Sequence, residues 1–319
     1  MYQTYKEIQY NTKNKLLLII YMSQYFDEKD IFSGPVVEQY GSHMIMKNVK
    51  KNAKVIYLNI DTKFRDDYEN NQVIDYTITL PERVNNVKSL YITDMEVPLS
   101  YYVISDHLEN NIMKISHNED FILLTIPDDD YDESSLIDAL NASLASQSAP
   151  YSSISASVNK NKLTFQNSSQ NEFTIEFNVD KNNCNNKNSL KSKLGWIMGF
   201  TEEYYNLSSS LTGESFIDVY GPKYLFLVID EYPSGNCQNG FISFLPRSRI
   251  NKNILARLSL ERAKIGFNGV HSGDVTCDMR EYNEKTDLQR IRVQLIDEFN
   301  RSMNLNGRDL SFCLRISHE

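Results

Sequence analysis

The sequence predicts a mainly β protein, a β-sandwich that carries a helix-bearing insertion. Three observations lead to this fold class. Apolar and polar residues alternate along most segments after residue 53, which is typical of strands with one buried face. Turn-forming residues, especially asparagine, separate these segments. A helical spacing of leucines interrupts the strand pattern near the middle of the chain.

The first predicted strands lie between residues 74 and 98. One face of the first strand carries four apolar residues: Ile74, Tyr76, Ile78 and Leu80. Pro81 is expected to end this strand, because proline cannot donate to a sheet ladder. A second strand contains Leu90 and Ile92 and stops near Pro98.

A hairpin and further strands are expected after residue 150. Ile154, Ala156 and Val158 alternate with serines, and residues 159–161 form a polar turn into Leu163 and Phe165. The next alternating segment contains Phe173, Ile175, Phe177 and Val179. Residues 224–229 are continuously apolar, as expected of a strand buried on both faces.

The C-terminal region predicts two more strands. Their apolar residues are Ile291, Val293 and Leu295 in the first, and Leu310, Phe312, Leu314 and Ile316 in the second. The dipeptide Asn306-Gly307 between them is a strong turn signal.

Two helices are predicted within the insertion. The first has Leu136, Ile137, Leu140 and Leu144 at helical spacing. Negative charge and a capping hydroxyl precede it, at Asp132, Glu133 and Ser134, where they suit the helix dipole. The second is short, spans about residues 189–198 and contains Trp196.

These elements predict a division of the chain into three parts. Residues 1–52 form an N-terminal arm, in which residues 1–21 are upstream of a start at Met22. Residues 53–127 and 201–319 form the sandwich, and residues 128–200 form the insertion. The apolar run at residues 16–22 is shorter than the ~20 residues that a membrane-spanning helix needs, so we expect a soluble, unsecreted protein.

The charge balance argues against a general nucleic-acid binder. The net charge is −9, whereas binding to phosphates requires a basic surface. Four lysines are concentrated at Lys47, Lys50, Lys51 and Lys54. They form either a solvated linker or an arm that meets an acidic partner or nucleic acid. The four cysteines lack metal-site spacing, which suits a reducing compartment.

No motif predicts catalysis, a cofactor or a metal site. The acidic segment that begins at Asp128 has Glu133 and Ala139 at the positions where a calcium-binding EF-hand loop needs Gly and Glu. The five histidines lack the HExxH pattern, and the GxSxG, P-loop and GxGxxG patterns are also absent. We therefore expect a protein that is not an enzyme and needs no cofactor.

Aromatic residues are the remaining notable feature. The chain has 20 tyrosines and 15 phenylalanines, and two tyrosine pairs, at residues 101–102 and 204–205, lie in loop-like segments. Tyrosine suits interfaces, since its ring is buried while its hydroxyl stays hydrogen-bonded. Three roles for these aromatic residues remain open: packing in the core and at its rim, contact between subunits, and stacking on sugars.

Several segments, in order, resemble the minor capsid proteins of nucleocytoplasmic large DNA viruses, especially Mimivirus-like giant viruses. The similar residues are 34–37, 39–44, 57–68, 126–127 with Tyr131 and Asn141, 194–200, 288–299, 305–307 and 310–312. The most distinctive is Leu-Gly-Trp-Ile-Met-Gly-Phe at residues 194–200.

The resemblance implies a jelly-roll β-sandwich with a helix-containing α+β insertion, in a structural virion protein. The implied role is a minor capsid protein, with the penton at the icosahedral vertex as the first choice and another capsid position as the second. The implied partners are further copies of the chain in a homo-pentamer, the major capsid protein, other minor capsid proteins and the internal membrane layer, with no specific nucleic acid. The implied location is the virion, assembled in the host cytoplasm.

The residues that carry this role are expected at interfaces. The candidate interface residues are Val36, Val37, Tyr40, His43, Met44, Met46, Tyr204 and Tyr205. Leu194, Gly195, Trp196, Gly199 and Phe200 are expected to be structural, with Trp196 anchoring the short helix and Gly195 allowing close backbone approach. The alternative function is a carbohydrate- or receptor-binding jelly-roll module on the virion surface.

Overall fold

The computed structural model describes residues 36–40, 43–47, 53–66, 68–69, 75–184, 190–231, 237–238, 253–260, 270–271, 275–277 and 279–319. The chain divides into two compact units, Met1–Ala53 and Lys54–Glu319. Met22, the expected start, and Lys50 and Lys51 of the lysine-rich segment lie outside the described residues.

The described secondary structure is dominated by strands. They are β1 (Val36–Tyr40), β2 (His43–Lys47), β3 (Lys54–Asp61), β4 (Asp75–Pro98), β5 (Ile112–His117), β6 (Asp120–Thr125), β7 (Ile154–Asn159), β8 (Lys162–Asn167), β9 (Phe173–Glu176), β10 (Tyr204–Leu207), β11 (Ser210–Thr212), β12 (Tyr224–Asp230), β13 (Cys237–Gln238), β14 (Ile254–Ser259), β15 (Val270–His271), β16 (Val275–Cys277), β17 (Arg280–Ile296) and β18 (Ser311–His318). The helices are α1 (Glu133–Ala145) and α2 (Leu194–Ile197), with 3-10 turns at Thr62–Phe64, Tyr151–Ser153 and Leu190–Ser192.

The largest sheet runs in the order β16-β14-β12-β17-β4-β18-β3, with β13 beside β17 and β15 beside β4. Its registered pairs are all antiparallel. With curled antiparallel sheets and few helices among the described residues, the fold is mainly β and consistent with the predicted jelly-roll class.

Strand β4 is the long central element of this sheet. Residues 75–90 of β4 pair with β17, and residues 87–96 pair with β18. Register shifts interrupt both pairings. Such irregularities bend a strand and change which residues face inward. The buried residues accordingly pass from Tyr76, Ile78 and Leu80 to Val87, Leu90 and Ile92, and then to Met95 and Val97.

The expectation that Pro81 ends the first strand is wrong, because β4 continues through it to Pro98. Pro81 lies where the register between β4 and β17 shifts, between the pairs Thr79–Arg290 and Val84–Leu288. A bulge of this kind does not require the missing N–H, so proline is tolerated there.

The bend in β4 is fixed by hydrogen bonds to Asp287 on β17. The Asp287 carboxylate accepts the backbone N–H of Asn86 at 2.8 Å and the Arg83 guanidinium at 2.6 Å. The Asn86 N–H and then Arg83 lower the pKa of Asp287. Asn86 has a φ of 54°, a left-handed conformation that asparagine tolerates well.

The hydrophobic residues of the second unit form two main clusters. We call the first cluster, between residues 60 and 316, the first core; β3, β4, β12, β14, β17 and β18 contribute to it. The second core draws its residues from 103–219, including β5 to β11, α1 and α2. The predicted bounds of the insertion, 128–200, stay a prediction. Its helices lie in the second core, together with residues before 128 and after 200.

Helix α1 begins and packs as the sequence predicts. The Asp132 carboxylate accepts the Ser135 N–H at 2.7 Å, and the Ser135 hydroxyl accepts the Asp132 N–H at 2.9 Å. This reciprocal capping satisfies backbone donors that the first turn leaves unpaired. Leu136, Leu140 and Leu144 are buried in the second core.

Two of the predicted turns are confirmed. Lys160 and Asn161 have positive φ values between β7 and β8, as a tight hairpin turn requires. Asn306 and Gly307 also have positive φ values. The strands on either side of the second turn, β17 and β18, lie on opposite sides of β4 in the sheet.

No helix in the described part of the chain is long and apolar enough to cross a membrane.

A buried ion pair joins three strands of the large sheet. Arg280, on β17, is 2 % exposed and donates to the Glu231 carboxylate at 2.6 Å and to the carbonyls of Ile229 and Asn253. The Tyr282 hydroxyl donates to the same Glu231 oxygen at 2.6 Å. Because each charge is paired and hydrogen-bonded, removing one partner would leave the other charge uncompensated.

Replacing Arg280 with Met is therefore expected to reduce the free energy of unfolding by about 3–5 kcal/mol, as measured by urea denaturation. Lys181→Met is the matched control, because it removes an exposed pair with Asp106. This control is expected to change stability by less than about 1 kcal/mol. Equal losses in the two variants would contradict the importance of the buried pair.

Candidate interaction surface

The segment at residues 194–200 anchors a surface of the second core. Leu194, Met198 and Phe200 have no exposed area, so these three side chains fix α2 and the turn that follows it. Trp196, which was expected to anchor the short helix, is instead 36 % exposed.

Gly195 lies against an aromatic stack. A Cβ at this position would be 2.4 Å from Cγ of Phe177. The ring centroids of Phe177 and Phe200 are 5.2 Å apart, and those of Phe200 and Phe165 are 5.7 Å apart. The absence of a side chain therefore lets α2 approach this stack, as expected for a glycine at a close approach.

Gly199 connects the same segment to residues 213–220. It has a φ of +90°, and a Cβ there would be 2.3 Å from the Ser215 carbonyl oxygen. The Ser215 N–H donates to the Gly199 carbonyl at 2.9 Å, and the Asp218 N–H donates to the Ile197 carbonyl at 2.8 Å. These contacts hold residues 213–220 against α2.

The two tyrosines of the predicted pair have different surroundings. Tyr204 is 52 % exposed on β10. Tyr205 packs against Phe177 and Phe200, and its hydroxyl donates to the Glu214 carboxylate at 2.8 Å. Tyr205 is therefore fixed by contacts with the second core, while about half of Tyr204 is exposed.

Four large aromatic side chains are exposed on α2, on β10 and in residues 213–220. We call them the aromatic surface: Trp196 (36 %), Tyr204 (52 %), Phe216 (65 %) and Tyr220 (61 %). Exposed aromatic groups on a rigid support are typical of protein interfaces.

Two members of the aromatic surface, Phe216 and Tyr220, were not singled out from the sequence. Between them, Ile217 and Val219 are buried in the second core. The segment thus alternates with period two but has apolar residues on both faces. That pattern in a segment without regular structure could have indicated an exposed apolar face.

The other candidate interface residues lie in the first unit, on the antiparallel hairpin of β1 and β2. The register places Val36 opposite Lys47, Val37 opposite Met46, Gln39 opposite Met44, and Tyr40 opposite His43. Their side chains lie outside the described residues, so their role as an interface stays a prediction.

The acidic segment at residues 128–130 makes local contacts. Asp128 accepts the Asp106 N–H and the Asn111 amide, at 2.8 and 3.1 Å. The backbone of Asp129 pairs with that of Ile104. Within the described residues, no group of His, Cys, Asp and Glu side chains is arranged to hold a metal ion.

Comparison with known proteins finds similarity at the level of structure only. No family model matches the chain, and no curated protein matches it. One similar solved structure is the penton protein of mavirus, with 12 % identity, a TM-score of 0.40, and coverage of 82 % of this chain and 99 % of that chain. Another is from the Sputnik virophage, with 12 % identity, a TM-score of 0.36, and coverage of 83 % and 98 %. Neither similarity is close enough to carry a functional argument.

The contact at Gly199 makes a testable prediction. Gly199→Ala combines a positive φ with the clash against Ser215, whereas Gly307→Ala has a positive φ with no atom within 4 Å. The cost of the left-handed backbone is therefore common to both variants. We expect Gly199→Ala to lose about 1–3 kcal/mol more stability in urea denaturation, the usual cost of overpacking. Equal losses would show that residues 213–220 are not held tightly against Gly199.

Proposed function

We propose that this chain is a structural virion protein, a minor capsid protein that forms the penton at the vertices of an icosahedral capsid. The aromatic surface is the observation that carries the proposal, because exposed aromatic side chains on a β-rich domain are suited to contact a neighbouring subunit. The ordered resemblance of the sequence to minor capsid proteins of large DNA viruses supplies the capsid context.

The proposed assembly is a homo-pentamer in which each subunit contacts the next head to tail. A ring of this kind closes when the rotation between subunits is one fifth of a turn, and it buries two different surfaces of each subunit. The aromatic surface is one of these surfaces. We propose the β1–β2 hairpin as a second contact, with the neighbouring subunit, the major capsid protein, other minor capsid proteins or the internal membrane layer.

The proposed location is the virion of a large DNA virus similar to Mimivirus, after assembly in the host cytoplasm. The net charge of −9 favours protein partners over a layer of DNA. The chain acts through its contacts, without catalysis or a cofactor.

A second candidate function is a carbohydrate- or receptor-binding module on the virion surface. It is favoured by the exposed Trp196, which lies beside the charged side chains of a cleft. Aromatic rings next to polar groups can stack on a sugar and bind its hydroxyl groups.

The mass of the purified protein, measured by light scattering, tests the first proposal. We expect a pentamer for the natural chain and a monomer for the triple variant Tyr204→Ser, Phe216→Ser, Tyr220→Ser, because each change removes apolar area from the interface. The protein should also be detected by mass spectrometry in purified virions, at low copy number.

The matched control is the pair Phe64→Ser and Phe121→Ser, which removes exposed aromatic rings outside the aromatic surface. The pentamer should survive in this control, and circular dichroism should show the same strand content in every variant. A natural chain that stays monomeric and is absent from virions would overturn the capsid proposal. Binding to a glycan array by that monomer would support the second candidate.

A further inference from the structure

A cleft of about 290 Å³ lies where the two cores meet. Its apolar wall comes from both cores and consists of Val103, Leu108, Ile197 and Met303. Aromatic rings of Trp196, Tyr224 and Phe299 also line it. The charged lining residues are Lys191, Asp218, Lys223, Asp297, Glu298 and Arg301.

Part of this charge is already compensated within the wall. Asp297 is 1 % exposed and accepts the Arg301 guanidinium at 2.7 Å. Arg301 also donates to the carbonyls of Leu108 and Ser192, at 3.0 and 3.2 Å. This pair joins the segment after β17 to two segments of the opposite wall, so the cleft has a fixed frame.

Glu298 differs from its neighbour Asp297. Its Oε2 atom is buried and has no hydrogen-bond partner among the residues that the structure describes. Burial raises the pKa of Glu298, whereas a hydrogen bond from its own backbone N–H lowers it. The negative charges of Asp297 and of Asp218, on the facing segment, raise the pKa, and Arg301 lowers it. A buried carboxylate oxygen without a donor is costly, so a donor from a bound group would stabilise Oε2.

We propose that this cleft binds a lysine or arginine side chain of another protein chain, with the cationic group at Glu298 and the aliphatic stem against the apolar wall. Charge complementarity supports this occupant, because Glu298 and Asp218 are two carboxylates on facing segments. Lysine and arginine combine a long apolar stem with a cationic end, which matches a cleft that is apolar along its wall and acidic at Glu298.

Of the three basic residues of the lining, Lys223 is exposed and the other two have contacts within the wall. Arg301 is committed to Asp297 and to two carbonyls. The Lys191 ammonium lies 5.4 Å from the centre of the Trp196 ring, within the usual range of a cation–π contact. The ring of Trp196 therefore already tolerates a cation at this edge of the cleft.

Trp196 makes the cleft directly observable, since it is the only tryptophan of the chain. Its fluorescence is measured while the full chain is titrated with N-acetyl-arginine amide and N-acetyl-lysine amide. We expect a saturable change with both probes and none with the neutral N-acetyl-norleucine amide. Glu298→Gln is expected to weaken binding about tenfold or more, as for loss of a hydrogen bond to a charged group.

Glu119→Gln is the matched control, because it removes one exposed carboxylate that does not line the cleft. Its affinity for the probes should equal that of the natural chain. The proposal is overturned if the natural chain shows no saturable change, or if Glu298→Gln binds as tightly as the control. Equally tight binding of a neutral sugar such as methyl galactoside to the natural chain and to Glu298→Gln would also overturn it.

Stability provides a second readout that needs no ligand. For an acid with a raised pKa, the folded state holds the proton at pH values where the unfolded state has lost it, so stability falls as the pH rises through this range. Glu298→Gln should therefore unfold at a higher urea concentration than the natural chain near neutral pH, and the difference should shrink in acid. A variant that is less stable near neutral pH would mean that Glu298 already has an internal partner, which would overturn the proposal.

The cleft proposal and the penton proposal can fail separately. A monomer that binds the cationic probes through Glu298 would retain the cleft proposal and reject the penton. A pentamer that does not bind the probes would retain the penton proposal and reject the cleft proposal.

Discussion

The hydrogen bonding of β4 on both sides is the constraint on which the rest of the structure depends. This strand pairs with β17 over residues 75–90 and with β18 over residues 87–96, so both partners flank it at residues 87–90. Its register shifts turn successive apolar residues toward one core, so a single strand contributes from Tyr76 to Val97. The buried pair of Arg280 and Glu231 then fixes β17 against its neighbours. The second core begins a few residues after β4 ends, at Val103.

The sequence allowed the mainly β class and many single elements to be predicted, because periodicity depends only on local burial. Strand β12, the cap at Asp132 and the turn at residues 160–161 follow from such local signals. The continuation of β4 through Pro81 could not be predicted in this way. It depends on a bulge opposite β17, about 200 residues later in the chain, and propensity does not report such pairing. For the same reason, the sequence did not predict that β17 and β18, which precede and follow the Asn306 turn, lie on opposite sides of β4.

The candidate interaction surface also contains some residues whose surroundings could be predicted from the sequence and others whose surroundings could not. Gly195 could be assigned from the sequence as a close approach, and its contact with Phe177 agrees with that reason. The surroundings of Tyr205 and Trp196 could not be predicted from the sequence. Tyr205, expected at an interface, contacts Phe177 and Glu214 within the chain. Trp196, expected as an anchor, lies at the surface. The unpaired oxygen of Glu298 has no sequence signal at all. It becomes visible only when the segment after β17 is placed between two cores.

The position of β18 in the large sheet also affects how the chain can fold during synthesis. Residues 311–318 lie between β4 and β3, so the first core stays open until these residues have been synthesised. The second core needs only residues 103–219 and is complete about a hundred residues earlier. Domains that emerge first fold first. A nascent chain would thus display a finished second core on an unfinished first core, with the edges of β3 and β4 exposed to aggregation until β18 is added.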